Sequence, residues 1–180
     1  MDEALKTKMK KAYDLAYFYE DNGGHCSQST VRALMDVYGI EDNQIFRALG
    51  TVAGGGGLEG DSGCGAYIAA SFFFGLTYGL NIEDTDTDNP ELKNGGDEVN
   101  KLVKILHDRF IDEYGSIICN QIHRKLYHRP FYIGTEEEHK IMADFVGRNK
   151  KSPDFIWCAH VCGNAASWAV EIFEEYKKNH

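Results

Sequence analysis

The chain has 180 residues, with 19 Lys+Arg against 28 Asp+Glu and a formal net charge of −9. That length suits one domain, expected over residues 1–180. The acidic balance, with no basic patch, argues against nucleic acid as a partner. Hydrophobic residues make up 43% of the chain, and only 3 positions are proline, so a packed core is expected rather than global disorder.

The opening residues, Met1 to Lys6, put no apolar run behind a basic end. No secretory signal is read there, and the cytoplasm is the expected compartment. The longest apolar stretch, Ala66 to Leu80, falls short of the roughly 20 residues of a bilayer span. Structural disulfides are not expected in a reducing compartment. The five cysteines (Cys26, Cys64, Cys119, Cys158 and Cys162) are then core fillers or carriers of metal or redox chemistry.

In chain order the periodicity predicts helices. Leu5, Met9, Ala12, Ala16 and Tyr19 form one apolar face, ended by Asn22-Gly23-Gly24. A second helix is predicted from Cys26 to Tyr38, stopped by Gly39, and a short third over Glu41 to Val52. Gly54 to Gly57 cannot hold a helix and are read as loop. Ser62 is the expected N-cap of a helix reaching Tyr78 that is apolar nearly all round and therefore central. Asn81 to Gly96 reads as an exposed acidic loop. Val99, Leu102, Val103, Leu106 and Phe110 mark the next helix, closed by Gly115. Ser116 is the expected cap of another, which ends before Pro130. Thr135 with Glu138 forms a capping box for Glu136 to Arg148, and Ser152-Pro153 is expected to open the last helix. The predicted fold is all-α, a bundle of about seven or eight helices with a Gly-rich loop before a central apolar helix.

On this reading Cys26, Cys64, Cys119 and Cys158 lie near helix beginnings, far apart in sequence. A helix N-terminus carries a partial positive charge and free N–H donors, which favour thiolate over thiol. Four such ends aimed at one place would form an electropositive pocket for a soft metal, a cluster or a redox dithiol. Buried thiols packed as small hydrophobes are the alternative.

The sequence resembles a bacterial and archaeal family of redox-active proteins named for a C…CGAxxG…C…C pattern. The resemblance rests on Cys26-Ser27-Gln28-Ser29 with Val31, on Gly54-Gly55-Gly56 through Gly60, on Cys64-Gly65-Ala66, on Cys119, and on Cys158 followed by Ala165-Ala166. Ala69 stands where the pattern has glycine, and Cys162 is additional to the usual four. A similar region occurs in split-Soret cytochromes, where it is associated with an iron–sulfur cluster. The resemblance therefore implies such a cluster on Cys26, Cys64, Cys119 and Cys158, with Cys162 as substitute or supplement. The haem does not carry over, since the chain has no C-x-x-C-H.

Other signals are weaker. Gly54 to Gly57 lack the lysine and hydroxyl of a phosphate loop. They suit close backbone approach to the Cys64 site, where amides of Gly55, Gly56 and Gly65 could meet cofactor sulfurs. Asp84, Asp86 and Asp88 alternate without the glycine and glutamate of a calcium loop. His25, His123 and His160 adjoin cysteines and could ligate metal or pair with thiolate. Three functions remain open: an oxidoreductase or electron-transfer protein with an iron–sulfur cluster, a thiol–disulfide protein, and a zinc-stapled or metal-free module. A redox partner is implied without being identified, and a homodimer is compatible with the aromatic helix surfaces.

Overall fold

The computed structural model describes residues 2–85 and 90–179. The order is α1 (Glu3–Asp21), α2 (Cys26–Tyr38), α3 (Asn43–Leu49), a 3-10 turn (Gly50–Val52), α4 (Gly65–Tyr78), α5 (Ile82–Thr85), α6 (Pro90–Tyr114), α7 (Cys119–Tyr127), α8 (Glu136–Asn149) and α9 (Cys158–Asn179). Among the described residues this is an all-α fold of eight longer helices, plus the four-residue α5. Helix α4 has few polar residues and packs against α2, α6 and α9, while α1 lies along α9.

The core is aromatic and small-residue at once. Phe73, Phe74 and Phe110 are fully buried with Leu34, Leu102 and Leu106. Phe73 packs its ring on Tyr38 and Phe173. Ala12, Ala16, Ala66, Ala70, Ala165, Ala166 and Ala169 are wholly covered, which lets the helix backbones close on one another. At Gly163 of α9 an added Cβ would come within 2.7 Å of the Tyr13 ring, so α1 and α9 are in close contact there.

Several predicted boundaries move. Helix α4 begins at Gly65 and not after Ser62, because residues 62–64 are held extended against 117–119. The Cys64 amide donates to the Ile117 carbonyl (2.7 Å) and the Cys119 amide to that of Ser62 (3.0 Å). Ser116 caps no helix; its hydroxyl accepts from the Ile118 amide at 2.9 Å and shapes that turn. Helix α9 opens at Cys158 rather than Ser152, after the turns of residues 150–154. The expected acidic loop is interrupted by α5 and shortened by α6, which opens on Pro90, a residue suited to a first helical position. Asp86 and Asp88 of the rejected calcium pattern lie outside the described residues. The Thr135 cap holds, its hydroxyl accepting from the Glu138 amide at 3.3 Å.

Candidate redox centre

Helix heads carry the site. Cys26 is the first residue of α2, Cys119 of α7 and Cys158 of α9, and Cys64 is the N-cap of α4. All five cysteines are free, and together they line one cavity of about 290 Å³. Ala53, Leu58, Ile122, Ile133, Met142 and Val161 wall it, and Glu20, His25, His123 and His139 are its titratable non-thiol groups. The exposed residues Gly23, Gly24, His25 and His139 form its outer edge.

The glycine loop explains how the heads come so close. Gly54 to Gly57, Leu58 and Gly60 all have φ between 54° and 81°, a left-handed run that side chains resist and glycine accepts. The run folds the loop back on itself, the Gly60 amide donating to the Gly54 carbonyl at 2.9 Å. The Asn120 amide then donates to the Gly60 carbonyl (2.8 Å), fixing the head of α7 on the loop. A Cβ at Gly55 would fall 2.7 Å from Cys119 Cβ, and one at Gly65 would fall 2.6 Å from Cys26 Sγ. These two glycines back the cysteines. A Cβ added at Gly56 would fall 3.5 Å from Ser62 Cβ, and the loop glycine that reaches the cavity wall is Gly54.

His123, buried on α7, sits between two sulfurs. Its Nε2 is 3.5 Å from Cys158 Sγ and 3.9 Å from Cys119 Sγ. Burial pulls its pKa down to about 4, the Phe131 backbone acting weakly the other way, so the ring is neutral near pH 7. Tyr127, one turn on, accepts from the Cys158 amide (3.0 Å) and directs its hydroxyl at Cys158 Sγ (3.2 Å). Cys162 is fully covered, with Sγ 3.6 Å from the Cys26 carbonyl. His160 does not reach the cavity; it accepts from the Trp157 amide and stacks edge-on to Tyr17.

The expected electropositive pocket is not found. Burial raises the pKa of every one of the five thiols, that of Cys158 to about 12. The Gly54 amide at Cys26 and the Ala66 and Tyr67 amides at Cys64 oppose this and are outweighed. Two causes are visible. The leading amides of α7 and α9 already donate to the Ser62 and Gly60 carbonyls and to the Tyr127 hydroxyl. The charged residue in the lining is an acid, Glu20, with no lysine or arginine beside it. Glu20 accepts from the Ser29 hydroxyl (2.9 Å), and burial raises its own pKa to about 7.

Sequence reasoning missed Glu20 and Tyr127, and each had a signal. Glu20 is a carboxylate in the last turn of α1, where the helix dipole disfavours it. Cys119, His123 and Tyr127 recur at four-residue steps and so share one face of α7.

Among the described residues, no group of three or more His, Cys, Asp or Glu is placed to hold a single metal ion. None of the described helices is long and apolar enough to cross a membrane. A family model, described as "Putative redox-active protein (C_GCAxxG_C_C)", matches residues 24–172, most of the chain, and the protein belongs to that family. No curated protein and no solved structure matches the chain.

Proposed function

We infer that this member of the redox-active family holds an iron–sulfur cluster in the five-cysteine cavity, on Cys26, Cys64, Cys119 and Cys158. The observation that carries this reading is the gathering of four separate helix heads, each with its cysteine, around one space. A lone tetrahedral zinc needs its thiolates about 2.3 Å from a common point, and among the described residues no trio of donors stands ready for that. A cluster distributes its thiolates over several iron atoms and accepts them further apart. Once bound, it would supply one-electron transfer.

The chain's own residues fit such a group. Thiols kept neutral by burial are strongly stabilised by a cationic occupant, which takes over the charge left when S–H protons depart. The Gly54, Ala66 and Tyr67 amides act on the Cys26 and Cys64 sulfurs and favour their anions. Leu58, Ile133 and Met142 restrict water at the wall.

Anaerobic purification followed by reconstitution with iron and sulfide tests the reading. The expected product is brown and contains iron and acid-labile sulfide in equal amounts. A colourless, iron-free protein after reconstitution overturns the proposal. Zinc without sulfide would make it a stapled module, and a reversible loss of two thiols without metal would make it a thiol–disulfide protein.

A further inference from the structure

The cavity has two ends, built from different parts of the chain. The inner end is sulfur, brought by α2, α4, α7 and α9. The outer end is closed by segments that bring no sulfur: the turn between α1 and α2 at Gly23 and Gly24, and Ile133 with His139 and Met142 of α8. Gly23, Gly24 and His139 are exposed, so the space that reaches the thiols also reaches solvent.

Helix α8 adds little to the core, Val146 alone of its residues being buried. It is fastened instead from its flanks. Phe145 packs on Tyr127, Phe131 and Phe155, Glu138 pairs with Arg129, and Lys150, just past the helix end, pairs with Asp21. His139 and Met142, three residues apart, share the face turned to the cavity. The fold thus covers the thiols with a helix that supplies no thiol, and leaves a passage beside it.

The walls decide what the passage admits. Leu58, Ile133 and Met142 are apolar, and among the described residues no lysine or arginine lines the cavity. An anion entering would shed its water and find no cation to replace it, which is strongly unfavourable. The carboxylate in the lining, Glu20, stands at the end of α1 beside the turn, where the Ser29 hydroxyl donates to its Oε2. A carboxyl group has further lone pairs, so Glu20 can receive a second donor. Apolar walls with a few placed polar groups are the usual make-up of a small-molecule pocket, and about 290 Å³ is the lower limit of such pockets.

We propose that the cavity is a ligand site as well as a cluster site. Its outer end, between the α1–α2 turn and α8, takes a small uncharged molecule with an apolar body whose hydrogen-bond donor is received by Glu20. This deepens the cluster reading and rests on it only in placing the molecule beside a cluster; the passage and its selectivity belong to the metal-free chain.

Iodoacetamide and iodoacetate test the passage on metal-free, reduced protein, because they are nearly equal in size and differ in charge. Both attack the same thiolate, forming a carbon–sulfur bond and releasing iodide, so the ratio of their rates at one cysteine is independent of its pKa. Peptide mass spectrometry reads that ratio at Cys26 and Cys158, the two partly exposed thiols, at high salt to screen the net charge of the chain. Relative to the urea-unfolded chain, the folded protein should favour iodoacetamide by a further factor of about ten or more. A folded ratio equal to the unfolded one overturns the proposal.

Butyramide, an unreactive member of the proposed class, should at tens of millimolar slow iodoacetamide labelling of both cysteines, and butyrate should not. Equal protection by the two, or by neither, overturns the ligand site. Met142→Trp fills the outer end and should slow labelling several-fold, whereas labelling at the wild-type rate contradicts entry past α8; should the variant not fold, the wild-type ratios decide. In iron-loaded protein butyramide, but not butyrate, should shift the electron paramagnetic resonance of the reduced cluster, and a spectrum indifferent to both overturns the placement beside it. Failure to load iron counts against the cluster and leaves the labelling results standing.

Discussion

Replacing Gly65 by alanine puts one methyl group into the contact that brings α2 and α4 together at the cavity. Gly65 is outside the left-handed region, so the cost is steric and not conformational. The new Cβ would sit 2.6 Å from Cys26 Sγ and 3.1 Å from both the Ser27 amide nitrogen and the Val52 carbonyl oxygen. Two of these neighbours are backbone, so relief must come from displacing Cys26 or separating the helix heads. Overpacking of this kind costs about 1–3 kcal/mol, and the blocked escape routes place Gly65→Ala in the upper part, at about 2–3 kcal/mol. That corresponds to a fall in Tm of about 4–12 °C for a chain of this size. Gly75→Ala is the matched control on the same helix, with nothing within 4 Å of its added Cβ. It should gain about 0.5–1 kcal/mol through helix propensity. Urea unfolding of the reduced, metal-free proteins measures both, and iron uptake after reconstitution should fall for Gly65→Ala alone. A Gly65→Ala protein as stable as wild type, with full iron uptake, would refute the close approach of Cys26 to α4.

Four further substitutions probe other parts of the account. Glu20 has a folded pKa raised from 4.5 to about 7. Between those values the native state keeps a proton that the unfolded chain has lost, so stability falls as pH rises across that window, and the cost is complete above it. Relative to wild type, Glu20→Gln should gain stability as pH rises from 4.5 to 8, reaching about 3 kcal/mol at pH 8, read from denaturant unfolding at pH 4.5, 6 and 8; the opposite slope of His123, whose folded pKa is lowered to about 4, is common to both proteins and cancels in the difference. Cys162→Ser keeps a donor for the Cys26 carbonyl and should retain full iron and sulfide, whereas Cys158→Ser should lose most of both. Phe73→Ala removes a fully buried ring between Tyr38 and Phe173 and should cost about 3–5 kcal/mol by chemical denaturation.

The helical architecture was legible because the apolar stripes are strong: Leu102, Leu106 and Phe110, and Val161, Ala165 and Ile172, are buried as their spacing requires. Helix beginnings were harder to read. Ser62, Ser116 and Ser152 carry good capping chemistry, yet the hydrogen bonds between residues 62–64 and 117–119 override two of them. Such pairing between segments more than fifty residues apart leaves no local pattern. The consequence brings the cysteines nearer to helix heads than the serines implied. The electrostatics of the pocket were misjudged for a related reason. Helix-dipole arguments assume free amides, and here those of Cys119, Asn120 and Cys158 are already bound to oxygens, while burial dominates every thiol. Gly55 and Gly65, read from the sequence as amides that meet cofactor sulfurs, stand against Cys119 and Cys26, which an added Cβ at each would touch. Which residue of the glycine run faces the cavity depends on the left-handed turn at Gly54 to Gly57, which sequence spacing cannot resolve.

X-ray absorption at the iron edge of anaerobically reconstituted protein tests the central claim most directly. Cysteines gathered around a cluster predict iron with sulfur neighbours and a second shell of iron, diminished by Cys26→Ser, Cys64→Ser, Cys119→Ser or Cys158→Ser and unaffected by Cys162→Ser. Iron with no iron neighbour, or an iron–iron shell indifferent to all four serine substitutions, would contradict it.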